Sequence, residues 1–487
     1  MSSSSSSVRH SLHGTLWVMI VEGLTLLLGF FIFIFLGRKL GPGGYGLYSL
    51  VAVLMLWIEW SITSIFDKAA IKLISEAEDW GPIATAVVRL QLFVSIIVTF
   101  IVILLAGPLA ALFQEPALAG YIRLFSLDIP IYCLAQSHKN ILDGIAWFRR
   151  RAFTTLVRWV AKLALIFLLI QLGLSIKGAI IANIGASVFE LALSRFWIRP
   201  VFLKSSGYPV RELLVSYGMP LLLQSLSLRL FGRIDLFALK ALGGTAEQAG
   251  IYSAAQNLSI PVSLVGLSLP VILLSTLSRT LGRGELVLAK KLMVNAMRIV
   301  FWVLPVVSLL PWFASDLVRL VLGDKYIHAA PLLSLLCFAS LSSIMLSINL
   351  TILIASGRAY TTSILTIPMV VCAVAGHLIL IPRLGPVGAS YVTAAVSTAG
   401  ALCSTAFVCR LWKILPPLKT VLRSVCVALL GCLTVAWWPA ANTLVAVKFL
   451  AIVAGCLGLF IASGEFSASD LLLFRSMLSM RKRPETD

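Results

Sequence analysis

Arg229 and Arg233 stand four residues apart in a stretch that is otherwise almost wholly apolar, with Gln224 before them and Asp235 just after. Spacing of four puts both guanidiniums on one face of a helix. A charge in the middle of a membrane span costs about 2.5–3.5 kcal/mol on insertion scales, so two of them facing lipid would be prohibitive. That face is therefore expected to line a polar cavity, where planar guanidinium forks suit a pyrophosphate bidentately. The alternative is that the charges pair with Asp235, Glu22 or Glu59 and hold helices together. Glu22 and Glu59 lie in the bodies of the first two apolar stretches and, with Asp235, are candidates for ion coupling. Gln256 and Asn257 could bond polar groups of a ligand, as could Asn349, and helix–helix hydrogen bonds would use them equally well. Arg38, with Lys39, closes the first apolar stretch, where it could meet a ligand or lipid headgroups, or snorkel. Lys139 and Asp143 lie one turn apart and can pair along their own helix.

No constellation for covalent or metal chemistry accompanies these groups. The eight cysteines lie in apolar stretches without a CxxC spacing, and the five histidines are scattered, so no metal site or cofactor is expected. No catalytic residue is expected either. A membrane glycosyltransferase or ligase needs an acid or histidine cluster in an extramembrane loop, and no long loop is present. The acidic pair Glu76 and Glu78 falls on the cytoplasmic side, the wrong one for a ligase.

The elements that position these residues must cross a membrane. Hydrophobic residues make up 59% of the 487-residue chain and charged residues only 12%, too few to cover a water-facing surface, which takes about 25%. The net charge of +19 does not form a basic face of the kind nucleic acid requires. The basic residues sit in short connections, as the positive-inside rule predicts.

Fourteen spans are expected, near 14–37, 44–66, 84–106, 119–143, 153–173, 177–198, 211–239, 249–277, 291–314, 328–355, 361–381, 387–410, 420–438 and 442–463. With the N-terminus inside, cytoplasmic segments hold roughly 27 of the 39 Lys and Arg and the opposite side roughly 9. An error of one span would scramble that bias, so an even number is expected, with both termini cytoplasmic. The serine run Ser2–Ser7 reads as a disordered leader, and the span after it as an uncleaved first helix.

A weak internal copy links the two halves. LGPGGYGLYSL runs from Leu40 to Leu50, and LGGTAEQAGIYSAAQNL from Leu242 to Leu258. Each has Leu-Gly, a short turn, then Gly-[Leu/Ile]-Tyr-Ser entering a helix. The offset of about 204 residues spans six helices. Six is even, so the halves share one orientation and form a parallel repeat about an axis along the membrane normal. On this offset Gln224 falls opposite Glu22.

These same segments resemble the polysaccharide-transport branch (Wzx-like O-antigen and oligosaccharide flippases) of the multidrug/oligosaccharidyl-lipid/polysaccharide, MATE-like, flippase superfamily. The similarity is carried by LGRKLGPGGYGLYSL after the first helix and by the stretch Tyr217 to Pro261, with its Gly-x-Pro, Arg-x-Asp and Gly-x-Tyr-Ser-x-Ala. VLGDKYIHAAPLL, Val321 to Leu333, and IPRLGPVGAS, Ile381 to Ser390, extend it, so that it covers roughly residues 12 to 412. The resemblance implies an all-α polytopic membrane protein with two six-helix lobes around a central cavity. Residues 1–12 would be the leader, 13–205 the first lobe, 206–412 the second, 413–470 a terminal helix pair and 471–487 a basic cytoplasmic tail. The implied activity is outward movement of undecaprenyl-pyrophosphate-linked oligosaccharide across a bacterial inner membrane by alternating access. The implied partners are that lipid-linked substrate, membrane lipids, and a polysaccharide polymerase and export machinery. A multidrug/cation antiporter, a lipid II flippase and, more distantly, a polyprenyl-linked glycosyltransferase remain open as alternatives.

Overall fold

The computed structural model describes residues 2–199, 232–437 and 445–464, and the described chain is α-helical apart from turns and one short 3₁₀ segment. The helices are α1 (Ser2–Glu76), α2 (Gly81–Leu112), α3 (Ala117–Ser126), α4 (Asp128–Gly144), α5 (Phe148–Gln171), α6 (Ser175–Trp197), α7 (Ile234–Ala241), α8 (Ala246–Gly282), α9 (Leu286–Leu322), α10 (Ala329–Ala355), α11 (Ala359–Trp412), α12 (Leu418–Trp437) and α13 (Val445–Ala462). Among the described residues nine stretches are long and apolar enough to cross a bilayer, α3 and α4 together forming one of them.

Two of these helices each hold two of the expected spans. α1 carries the first and second, and its backbone leaves helical geometry at Gly41 (φ 66°, ψ 175°), immediately before Pro42. α11 carries the eleventh and twelfth and breaks at Gly385 (φ 57°, ψ −134°), before Pro386. Both breaks fall in a Leu-Gly-Pro triplet. Proline disfavours the α conformation in the residue before it, and only glycine enters the positive-φ region without strain. The fourth span is likewise built from two pieces, α3 and α4, joined at Leu127.

Two compact units emerge. Unit 1 comprises Met1–Asn257 with His377–Ala389, and unit 2 comprises Leu258–Gly376 with Ser390–Asp487. In unit 1, α5 packs on α6 and on α1, while α4 packs on α1, α2 and α6. Its apolar core gathers Phe66, Ile74, Ile83, Val87, Ile141 and Leu142. In unit 2, α9 packs on α10 and α12, with α13 against both α9 and α12. Leu309, Phe313, Val427, Ile452 and Phe460 form that last junction.

The polarity of packing is inverted relative to a water-soluble bundle. On α2, Phe93, Ile97, Phe100 and Leu104 are exposed while Gln91 and Ser95 are buried. Such a broad apolar outer surface is stable only against lipid, and the buried polar side chains must then find partners inside the protein.

Candidate functional site

Unit 1 contains two groups of polar side chains. The first is assembled where α7 meets α8. Glycine at 232 and Arg233 form a turn, Arg233 is the residue preceding α7, and Asp235 occupies that helix's first turn. A carboxylate there complements the positive end of the helix dipole and satisfies an otherwise orphaned amide. Accordingly, the Leu236 N–H donates to Asp235 Oδ1 at 2.8 Å. The other oxygen, Oδ2, accepts from the Tyr252 hydroxyl at 2.6 Å and from Gln256 Nε2 at 2.7 Å. Gln256 turns its carbonyl to Arg233, whose Nη1 donates at 2.9 Å. Arg233 and Asp235 are thus joined through an amide rather than by direct contact. One residue further along α8, Asn257 Nδ2 donates to the Tyr45 hydroxyl at 2.8 Å. His377 adds a buried imidazole within electrostatic reach of Asp235.

The sequence-predicted Arg233, Asp235 and Gln256 therefore fall in one network, with Asn257 beside it on α8 bonded to Tyr45. Gln224 and Arg229 lie outside the described residues. Arg233 itself stands in a turn and immediately precedes α7. Tyr45 and Tyr252 were not anticipated, although Tyr252 stands in the repeated Gly-Leu/Ile-Tyr-Ser motif and Tyr45 immediately precedes its first copy.

The second group draws on four helices and places three acids against three bases: Glu59, Asp128 and Glu190 with Lys139, Arg158 and Lys162. Glu190, fully buried on α6, receives Lys139 Nζ at 3.0 Å and Arg158 Nη1 at 3.4 Å. The Arg158 guanidinium also lies over the Tyr132 ring, 4.5 Å from its centroid. Asn183 Nδ2 donates to Asp128 Oδ2 at 2.5 Å. Glu59 is buried on the second half of α1, within electrostatic reach of Asp128, Arg158, Lys162 and Glu190. Equal numbers of each sign make the group formally neutral, which is how charge can be kept in a low-dielectric interior. A polar seam continues beside it, with the Ser137 hydroxyl donating to Gln91 Oε1 at 2.7 Å and Asn140 Nδ2 to Asp67 Oδ1 at 2.7 Å. Lys139 thus reaches across to α6, and Asp143 sits 3.5 Å from Arg151.

The remaining candidates are apart from both groups. Glu22 is exposed and forms a 3.5 Å pair with Arg151. Arg38 is exposed close to the Gly41 bend. Asn349, in unit 2, is buried and donates to Ser404 and Thr405 of α11 at 2.9 and 2.8 Å, a helix–helix role. Among the described residues no cluster of His, Cys, Asp or Glu is arranged to hold a metal ion.

Comparison with known proteins places this arrangement. In solved structures the chain is similar to "Lipid II flippase MurJ, inward closed conformation", with TM-score 0.75 and 15% identity over 94% of this chain and 100% of that one. It is also similar to an inward-facing multidrug resistance MATE family transporter of the MOP superfamily, with TM-score 0.67 and 16% identity over 80% and 94%. A MOP superfamily transporter from Pyrococcus furiosus aligns with TM-score 0.55 and 16% identity over 83% and 95%. At such identities these likenesses establish the fold. No curated protein matches the sequence. Residues 11–280, more than half of the chain, match the family described as "Polysaccharide biosynthesis protein". With its helical fold, its breaks at Gly41 and Gly385 and its charges buried within spans, this chain is a multi-pass membrane protein that belongs to the polysaccharide biosynthesis protein family.

Proposed function

We propose that the chain is a flippase that carries undecaprenyl-pyrophosphate-linked oligosaccharide, a repeat unit of O-antigen, capsule or exopolysaccharide, from the cytoplasmic to the outer leaflet of a bacterial inner membrane. The observation that carries this reading is an arginine of an expected span held by an amide–carboxylate network, in a member of the polysaccharide biosynthesis family. A diphosphate headgroup cannot cross hydrocarbon unaided, because an ion's transfer cost there is far beyond thermal energy. Arg233, with Arg229 and Gln224 on the preceding segment, would receive the phosphates. Gln256 and Asn257 would offer amides to sugar hydroxyls, and Arg38 would meet the headgroup at the outer end.

The transport cycle is alternating access of two six-helix lobes, 13–205 and 206–412, with both termini cytoplasmic and helices 13 and 14 as an accessory pair. Glu59 and Asp235 are the better-placed candidates for ion coupling, since both are buried, whereas Glu22 is exposed and beside Arg151. A polysaccharide polymerase and export machinery would take the product.

The test is genetic and chemical. Deleting the gene should abolish a surface glycan, leave the cell viable and accumulate lipid-linked precursor on the inner side. The double variant Arg229→Glu/Arg233→Glu should reach the membrane in normal amount yet fail to restore export. Normal glycan export by that variant would sink the assignment. The similarity to a lipid II flippase structure favours one second reading, transport of a peptidoglycan precursor. Loss of viability on deletion, with the surface glycan intact, would select it.

A further inference from the structure

The two copies of the repeated motif do more than match in sequence. They touch. Gly46 of the first copy and Gly250 of the second are equivalent positions, 204 residues apart, and so are Pro42 and Ala246. A Cβ built on Gly46 would collide with the Ala246 carbonyl oxygen and lie 2.7 Å from the Gly250 nitrogen. A Cβ built on Gly250 would collide with the Pro42 carbonyl oxygen and lie 2.9 Å from the Gly46 nitrogen. Each glycine thus meets the equivalent of what its counterpart meets. Such reciprocity is the signature of a two-fold axis, here an internal one, passing between Gly46 and Gly250. The opposed atoms are backbone, so no side-chain rotation can make room.

Other contacts cross the same junction within unit 1. The Tyr45 hydroxyl accepts from Asn257 and is bonded to Ser253, itself the equivalent of Ser49. Lys240 Nζ, buried, reaches Glu115 Oε2 at 3.2 Å and the Gly244 carbonyl at 3.0 Å. Phe113 stacks on Phe237 with ring centroids 6.1 Å apart. The junction therefore has a close glycine crossing flanked by polar and aromatic fasteners, gathered near the α1 bend and the ends of α2, α7 and α8 that the charge bias places outside.

We propose that the Gly46–Gly250 crossing is the closed outer gate of the transport path, a seam on the repeat axis that parts to release the headgroup and reseals without leaving a hole. This rests on the transporter reading above and deepens it. A path running along a two-fold axis is plugged most completely where the two equivalent backbones meet on that axis. Glycine is required because any side chain would prop the seam apart. The polar fasteners can be exchanged for water as the seam opens, so opening does not strand a buried donor.

The test measures accessibility rather than transport. In a chain whose eight cysteines are replaced, Ser253→Cys reports on the space beneath the seam, since Ser253 is 1% exposed. A membrane-impermeant maleimide is applied to right-side-out and to inverted vesicles. With the gate intact, labelling from the outer side should be slow. Gly46→Leu or Gly250→Leu should raise that rate about tenfold or more, as expected when an open state at or below about 10% becomes dominant. Gly43→Leu is the matched control, because nothing lies within 4 Å of a Cβ at Gly43, and its labelling should stay slow. Equal protection in all three variants at normal membrane levels would overturn the proposal. Should the leucine variants fail to accumulate, a Glu115→Cys/Lys240→Cys pair answers the same question without touching the glycines. Oxidative cross-linking should stop glycan export and reduction should restore it, whereas undiminished export through a fully cross-linked chain would refute the gate. The labelling arm needs no substrate, so a wrong substrate class and a wrong gate fail separately.

Discussion

Glu190 shows what a single buried residue holds in place. It faces Lys139 and Arg158 at once, so Glu190→Ala leaves two cations without their counter-charge. Removing one partner of a buried ionic group costs about 3–5 kcal/mol. The variant should unfold at markedly lower temperature in detergent, or fail to accumulate, while Glu190→Asp keeps part of that stability. A milder change belongs to the other group. Tyr252→Phe removes the 2.6 Å bond to Asp235 without altering volume much, at a cost of about 1.5–3 kcal/mol for a bond to a charged acceptor. Folded protein should still be recovered and glycan export should fall, which comparison of membrane levels with surface glycan will show. Arg233, Asp235 and Gln256 were legible in the sequence because each interrupts an apolar run, and the structure joins them. Lys139 illustrates the opposite. Its sequence neighbour Asp143 offered a partner one turn away, but Glu190, 51 residues on, takes it. The other charges of that group were equally hard to read, because their partners lie on helices separated by long stretches of chain and only packing brings them together.

Among the elements, those with sharp punctuation were read best. Leu-Gly-Pro at Leu40 and the turn in IPRLGPVGAS mark the two interruptions, and both appear as positive-φ glycines inside long helices. Gly41→Ala forces a β-carbon into a positive-φ, extended-ψ region that is essentially glycine's alone, at a cost of about 1–3 kcal/mol, and nothing crowds the site, so the penalty is conformational. Gly41→Ala should therefore lower thermal stability by an amount that Gly43→Ala, at negative φ, does not. Sequence periodicity could not foresee that α7 is preceded by a turn at Arg233, since helical and capped arginines look alike in a one-dimensional pattern. The terminal helix pair carries a cap of its own. Lys448 Nζ donates to the Val435 carbonyl in the last turn of α12 at 3.1 Å and lies 5.7 Å from the Phe313 ring centroid. A cation there complements the negative helix end. Lys448→Met should loosen α13 from α12 and raise proteolysis of this pair while leaving residues 1–412 protected.

For the molecule as a whole, composition alone identified the solvent, and the exposed Phe93, Phe100 and Leu104 are its structural counterpart. The orientation expected from the basic residues can be checked directly. A phosphatase reporter fused after Thr245 should be active and one fused after Gly284 inactive, because the latter lies in the basic connection containing Arg279, Arg283, Lys290 and Lys291. Substrate identity was not legible, since sugars are recognised by amides and hydroxyls that also serve as helix-to-helix bonds, as Asn349 does. The contact of Gly46 with Gly250 has a bearing on ancestry. A chain holding only one copy of the motif would have met itself at this place, and one mutation would have introduced two collisions. Joining the copies in one gene halves that burden, leaving each site free to drift under its own constraint. The facing residues already differ, proline at 42 and alanine at 246, while the two glycines are still identical.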